Sequence, residues 1–125
     1  MADRVQVKIC GLTRRLDAEL AASLGADYLG VVLSPGFRRS MLPDDACSLL
    51  AGLAPTGVAV LVDETPERAE ELAHLAGAGV IQLHGAEPPD VVAALAAEGS
   101  WRLWKSVRAR TPDAVSYTHL RAHET

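Results

Sequence analysis

Along this chain short strand-like stretches alternate with helix-like ones, and no two strand-like stretches are joined without a helix between them. That pattern predicts parallel strands with right-handed crossovers. The first stretch, Val5-x-Val7-x-Ile9, has the period of two expected of a strand from Val5 to Cys10. Gly11 then breaks the strand, and Thr13 is placed to cap a helix over about Arg14 to Leu24, with Leu16, Leu20 and Leu24 as its apolar stripe. Gly25 closes that helix as a C-terminal glycine does. Tyr28 to Leu33 is a continuous apolar run, as in a strand covered on both faces. After the loop Ser34 to Ser40, Pro43 opens a second helix, with Ala46, Leu49, Leu50 and Leu53 on its apolar face. Gly57 to Val62 is the third strand, and Thr65-Pro66 starts the third helix as an N-cap and N1 proline. That helix carries Ala69, Leu72, Ala73 and Ala76 inward. Gly79 to Leu83, Pro89 to Ala97 (ended near Gly99) and Arg102 to Val107 supply a fourth strand, a fourth helix and a fifth strand.

Two α/β architectures fit five such units. One is a complete five-stranded doubly wound sheet. The other is the front of a parallel (β/α)8 TIM barrel, truncated after about strand five, since a whole barrel needs roughly 200 residues or more and this chain has 125. In either fold, chemistry gathers at the C-terminal ends of the strands. Lys8 and Cys10 occupy that end of the first strand and share one of its faces.

Composition excludes several partners. A net charge of −4 argues against nucleic acid as the main ligand. No apolar run approaches the roughly 20 residues of a membrane span, and Met1 to Arg4 has no signal-like core, so a cytoplasmic protein is expected. Cys10 and Cys47 have neither metal-ligand nor CxxC spacing, so no metal is expected and both thiols should be reduced.

The last segment departs from all of this. Val115-Ser116-Tyr117-Thr118-His119-Leu120-Arg121-Ala122-His123-Glu124 has no helical period and none of the preceding alanine–leucine texture. It resembles one reading frame of the transposase adaptor used in preparing sequencing libraries. Residues 115–125 are therefore expected to be a non-native tail, and residues 1–114 the N-terminal portion of a single barrel domain.

Lys8-Ile9-Cys10-Gly11-Leu12-Thr13, Gly25-Ala26-Asp27, Ser34 to Arg39, and Ile81-Gln82-Leu83-His84-Gly85 follow one another in an order and spacing that resemble phosphoribosylanthranilate isomerase. This is the (β/α)8 enzyme of tryptophan biosynthesis, and the resemblance covers residues 5–110. It implies an Amadori rearrangement of N-(5-phosphoribosyl)anthranilate to 1-(2-carboxyphenylamino)-1-deoxyribulose 5-phosphate. The small-molecule substrate joins a phosphorylated sugar to anthranilate, and no cofactor is required.

The resemblance makes Cys10 the general base. A thiolate needs a nearby cation, and Lys8 is the cation on the same strand face. Without the motif, Cys10 reads as a small buried hydrophobe. Arg39 matches the family's arginine that holds the anthranilate end, a carboxylate suited to a guanidinium, and Arg38 beside it is able to share that role. Lys8, Gln82 and His84 complete the expected substrate-binding set, with Asp63 a weaker addition at the same rim. Lys105 is expected to point into the barrel, in no assigned role, and His74 to be solvated.

The family's general acid is an aspartate closing strand six, and its phosphate loops follow strands seven and eight. Both are expected to be absent from this chain, and Asp113, in a linker after strand five, does not replace the acid. The chain alone is accordingly expected to be inactive. With strands one and five unpaired and its inner face open to water, it is also expected to self-associate. The rival readings are a related phosphate-binding barrel of the indole-glycerol-phosphate synthase type, a five-stranded flavodoxin-like binding domain, and a non-catalytic half-barrel.

Overall fold

Residues 4–107 are described by the structure, a computed structural model. The expectations for Asp113 and for residues 115–125 lie outside the described residues. Five strands and four helices alternate: β1 (Lys8–Ile9), α1 (Arg15–Ser23), β2 (Tyr28–Val32), α2 (Pro43–Leu50), β3 (Thr56–Leu61), α3 (Pro66–Ala76), β4 (Val80–Leu83), α4 (Pro89–Glu98) and β5 (Arg102–Lys105). All pairings are parallel, and the strands lie in the order β1-β2-β3-β4-β5. This sequential order decides between the two architectures. A doubly wound sheet reverses its strand order at a switch point, whereas a barrel adds each strand beside the last with every helix on the outside.

Register sorts the side chains onto two faces. Val31, Ala59, Ile81 and Leu103 lie in one row facing the helices, and Leu29 faces the same way two residues before Val31. These residues join Leu61, Leu72, Ala73, Val92 and Leu95 in the main core, all buried, whereas Ile9 on the β1 edge is 39% exposed. Small residues dominate the helix sides of this core (Ala18, Ala46, Ala69, Ala73, Ala76), which lets the helices lie close to the sheet. Gly57 shows how tight this is: a Cβ there would stand 2.7 Å from a Leu50 methyl carbon.

The opposite face is concave. The open, water-facing inner surface expected from the sequence is not found. Tyr28, Val58, Val60 and Val80 are buried there in a second cluster, with Val32 and Trp104 packed against it. Strong curvature makes this possible, because side chains three strands apart meet across the trough. The Tyr28 and Trp104 rings, from β2 and β5, pack edge to face with centroids 4.8 Å apart. Lys8 on β1 donates to Gln82 Oε1 on β4 and lies 5.8 Å from the Trp104 ring centroid. Arg102 donates to the Tyr28 hydroxyl.

The first unit differs most from expectation. The β1 ladder spans only Lys8–Ile9, because β1 is an edge strand paired on one side. Thr13 does not cap α1. The chain still bonds to β2 at Leu12, whose N–H donates to Gly30 O at 3.1 Å, and Arg14 takes the N-cap position without a side-chain cap bond. Leu16, Leu20 and Leu24 are 66%, 58% and 77% exposed, and Ala18 is the buried residue of α1. Leu20 and Leu24 instead line an apolar groove along the β1 edge with Val7, Ile9 and Leu12. Other local signals hold: Thr65 Oγ1 accepts from Arg68 N–H at 3.2 Å, and Gly99 ends α4 at φ +71°. His74 is exposed, as expected.

Asp27 explains the Gly25-Ala26-Asp27 motif. Its carboxylate accepts from Arg4 and from the Val7 N–H at 2.8 Å, and its own N–H donates to Val7 O at 2.8 Å. The segment leading into β1 is thereby tied to the start of β2. The Arg4 bond and the Val7 N–H hold the Asp27 carboxyl below its ordinary pKa.

Arg15 ties α1 to α2. Its guanidinium donates to the carbonyls of Ser48, Leu49 and Ala51 at 3.2, 3.0 and 2.7 Å, the unpaired carbonyls at the end of α2. Arg15→Ala should lower unfolding free energy by about 1–2 kcal/mol in urea titrations. Arg15→Lys should recover only part of this, because an ammonium lacks the planar fork that serves several carbonyls.

Candidate functional site at the C-terminal strand ends

At the end of β1 two glycines make room for two functional side chains. Gly30, on β2, sits under Cys10. A Cβ at position 30 would stand 3.0 Å from the Cys10 sulfur and 3.3 Å from its Cα. The thiol therefore lies over the inner face, and Cys10 is exposed and unoxidised. Gly11 follows at φ +76°, and a Cβ there would stand 2.8 Å from Arg39 Nη1. Arg39 thus reaches back from the β2–α2 loop to lie against the residue next to Cys10. The loop that delivers it is braced by serines. Ser40 Oγ donates to Ser34 O at 2.6 Å and accepts from Phe37 N–H at 2.9 Å, while buried Ser34 accepts from Val62 N–H and donates to Glu64. Arg38 and Arg39 are both exposed on this loop.

Lys8, Gln82 and His84 form the other part of the rim. The Lys8 ammonium is directed to Gln82 and the face of Trp104. Gln82, 6% exposed, also donates to Ser106 Oγ at 2.9 Å, and His84 Nδ1 lies 3.0 Å from the same oxygen. A buried amide needs partners for both ends, and here Lys8 takes the oxygen and Ser106 the nitrogen. Sequence reading missed Ser106 and Trp104. The register of β5 places them: Gln82 pairs with Trp104, so Trp104 and Ser106 face inward together.

The same parity corrects the reading of Lys105. It does not point into the concave face. It lies in the row of Leu83 and Leu103, and its ammonium donates to Gly85 O at 2.6 Å and Glu87 Oε1 at 2.8 Å, with both side chains almost fully buried. Asp63 is likewise tied to the neighbouring loop. It holds φ +56°, its Oδ1 accepts from Ala86 N–H at 2.8 Å, and its N–H donates to Glu87 Oε2 at 2.9 Å. Gly85 N–H also donates to Glu87, and a Cβ at Gly85 would collide with Asp63 Oδ1 at 2.6 Å. Glu87, in the loop before α4, is a further residue that sequence reading missed. A lysine in an apolar strand, which must find a charge partner when buried, was the one hint of its role. The network locks the β3–α3 and β4–α4 loops to the end of β5, directly beneath His84.

Comparison with known proteins decides the family. The family model described as N-(5'phosphoribosyl)anthranilate (PRA) isomerase matches residues 7–122. The chain belongs to that family.

A phosphoribosylanthranilate isomerase of Symbiobacterium thermophilum is 38% identical over 112 residues, covering 88% of this chain and 48% of that protein. One from Desulforudis audaxviator is 44% identical over 86 residues, covering 67% of this chain and 42% of that protein. The crystal structure of phosphoribosyl anthranilate isomerase from Thermus thermophilus superposes with a TM-score of 0.79 at 39% identity, over 86% of this chain and 54% of that one. The chain thus spans about half the length of the relatives it matches. Its five strands have the arrangement of the first part of the isomerase barrel. Among the described residues no group of acidic, histidine or cysteine side chains is arranged to hold a metal ion, and no helix is long and apolar enough to cross a membrane.

Burial pushes the Glu87 carboxyl up, but the Lys105 hydrogen bond and the Asp63 N–H outweigh it and hold the carboxyl below its ordinary value of 4.5. A lowered folded-state pKa stabilises the fold above the ordinary value, and that stability is lost as pH falls through the folded-state value. The urea midpoint of the chain should therefore fall as pH drops below about 4.5. Glu87→Gln should remove this pH component and, by stranding a buried ammonium, cost about 3–5 kcal/mol at neutral pH. Lys105→Met should cost a similar amount by stranding the carboxylate.

Proposed function

We propose that this chain supplies the first five βα units of an N-(5'-phosphoribosyl)anthranilate isomerase that converts its substrate to 1-(2-carboxyphenylamino)-1-deoxyribulose 5-phosphate. One observation carries the reading: the Cys10 thiol is seated over Gly30, and the Arg39 guanidinium is laid against Gly11, the residue next to Cys10. Family membership supports it, as does a related phosphoribosyl anthranilate isomerase whose crystal structure contains reduced 1-(o-carboxyphenylamino)-1-deoxyribulose 5-phosphate (31% identity, TM-score 0.84, 92% of this chain and 59% of that one).

In this reading an acid protonates the furanose ring oxygen, and the C1–O bond breaks to give an open-chain iminium. Cys10 takes the proton from C2, so that electrons from the C2–H bond neutralise the iminium and form an enamine. Tautomerisation of the enol–enamine then gives the aminoketose. Arg39 holds the anthranilate carboxylate with paired hydrogen bonds. Lys8, Gln82 and His84 line the rim where the sugar's hydroxyls and phosphate approach. The acid is not supplied by the rim carboxylates near Cys10. Asp63 and Glu87 are occupied by the loop network, and Glu64 accepts from Ser34. The family's strand-six aspartate fills that role, so the 125-residue chain alone should give no turnover and should self-associate through its β1 edge. A cytoplasmic location fits a small-molecule biosynthetic enzyme.

The test uses the whole enzyme containing this segment. Cys10→Ala should reduce kcat by about 10²–10⁴-fold, the usual contribution of a general base, with the fold retained by circular dichroism. Arg39→Ala should act mainly on KM, raising it roughly 10- to 100-fold, as expected for a lost charge-assisted hydrogen bond. Unchanged turnover in Cys10→Ala would overturn the assignment. It would favour a barrel of the indole-glycerol-phosphate synthase type, whose lysine and glutamate chemistry has no use for this thiol.

A further inference from the structure

We infer that Ser106 is a positioning residue that sets the tautomer of His84, so that the imidazole presents its Nε2–H, rather than a bare nitrogen, at the rim. The direction of each hydrogen bond fixes where the imidazole proton sits. An ammonium only donates, so the group facing Lys8 Nζ is the Gln82 oxygen, Oε1. The Gln82 amide nitrogen is then turned toward β5, where it donates to Ser106 Oγ at 2.9 Å. Ser106 has a single hydroxyl proton. With Oγ accepting from Gln82, that proton is directed to the ring nitrogen within hydrogen-bonding distance, His84 Nδ1 at 3.0 Å.

A second contact points the same way. Gln82 Nε2 also lies 3.4 Å from His84 Nδ1. A proton on Nδ1 would confront the amide N–H, whereas a lone pair there accepts from both neighbours. A neutral imidazole whose Nδ1 accepts carries its proton on Nε2. The order therefore runs Lys8 to Gln82 to Ser106 to His84, and three strands contribute to it. The alternation of β5 is what makes it available: Lys105 turns outward to Glu87, and the next residue turns inward.

His84 is exposed, so its outer ring nitrogen is open to a ligand. An N–H at that position suits an oxygen bearing negative charge, such as a carboxylate, a phosphate or an oxygen that gains charge as a C–H bond breaks. That last step rests on the isomerase reading. The position of the proton does not.

The experiment reads the proton directly. The full 125-residue chain is labelled with 15N-histidine and held at a pH where His84 is neutral. Long-range 1H–15N correlation spectra are recorded in solution, or under magic-angle spinning if the chain assembles. The His84 signals are identified by their loss in His84→Gln. The wild type should show Nε2–H as the dominant form. Ser106→Ala should raise the Nδ1–H fraction several-fold, and Ser106→Thr, which keeps the hydroxyl, should restore the wild-type pattern. A dominant Nδ1–H form in the wild type, or an unchanged tautomer in Ser106→Ala, would overturn the inference. The spectra need no turnover. An inactive whole enzyme with Nε2–H at His84 would therefore count against the isomerase reading alone.

Discussion

Everything at the rim depends on the curl of a five-stranded parallel sheet. A flat sheet would leave Lys8 and Gln82 three strands apart. Curvature brings them into hydrogen-bonding contact and sets Tyr28 edge-on against Trp104. The curl has a physical source on each side. Outside, alanine-rich helix faces pack closely on large aliphatic strand residues. Inside, Val58, Val60 and Val80 fill the trough beneath two aromatic rings. Polar pairs then close it above and below: Lys8 with Gln82 toward the strand ends, Arg102 with Tyr28 toward the strand starts.

On this base the rim is built by contrast between small and large residues. Gly30 and Gly11 are as much a part of the site as Cys10 and Arg39, since each functional side chain occupies the space a Cβ would take. The loops are held independently of any ligand. Serines brace the loop that carries Arg39, and the buried Glu87–Lys105 pair braces the loop that begins at His84. Such bracing limits the freedom of groups whose geometry chemistry depends on.

Much of this was legible in the sequence where local signals and periodicity agreed. Thr65-Pro66, Gly25 and Gly99 mark helix ends at the observed places, and the KICG and QLHG strings close β1 and β4. The shortfalls have tertiary causes. The Val5-Val7-Ile9 alternation overstates β1 because an edge strand has a partner on one side only. The leucine stripe of α1 is real as a pattern, yet it lies beside the open edge and stays exposed. Lys105 was placed on the wrong face because Arg-Leu-Trp-Lys is polar and apolar on alternate ends of both faces, and so does not declare its parity. Ser106 and Glu87 carry no local signature. Their importance lies in what other strands bring to them.

Strand β5 acts as a partition wall between two electrically different compartments. Behind it lies a sealed ion pair, and in front of it an open amide–hydroxyl–imidazole chain, and consecutive residues serve each. The separation is encoded in nothing but the two-residue period of an extended backbone. Sliding β5 by one position would bring either Ser106 or Trp104 to the buried carboxylate and turn Lys105 to the inner face, damaging both compartments at once. Such a strand tolerates changes of side chain far better than changes of length. Insertions and deletions in this family should therefore collect in the loops and pass β5 by.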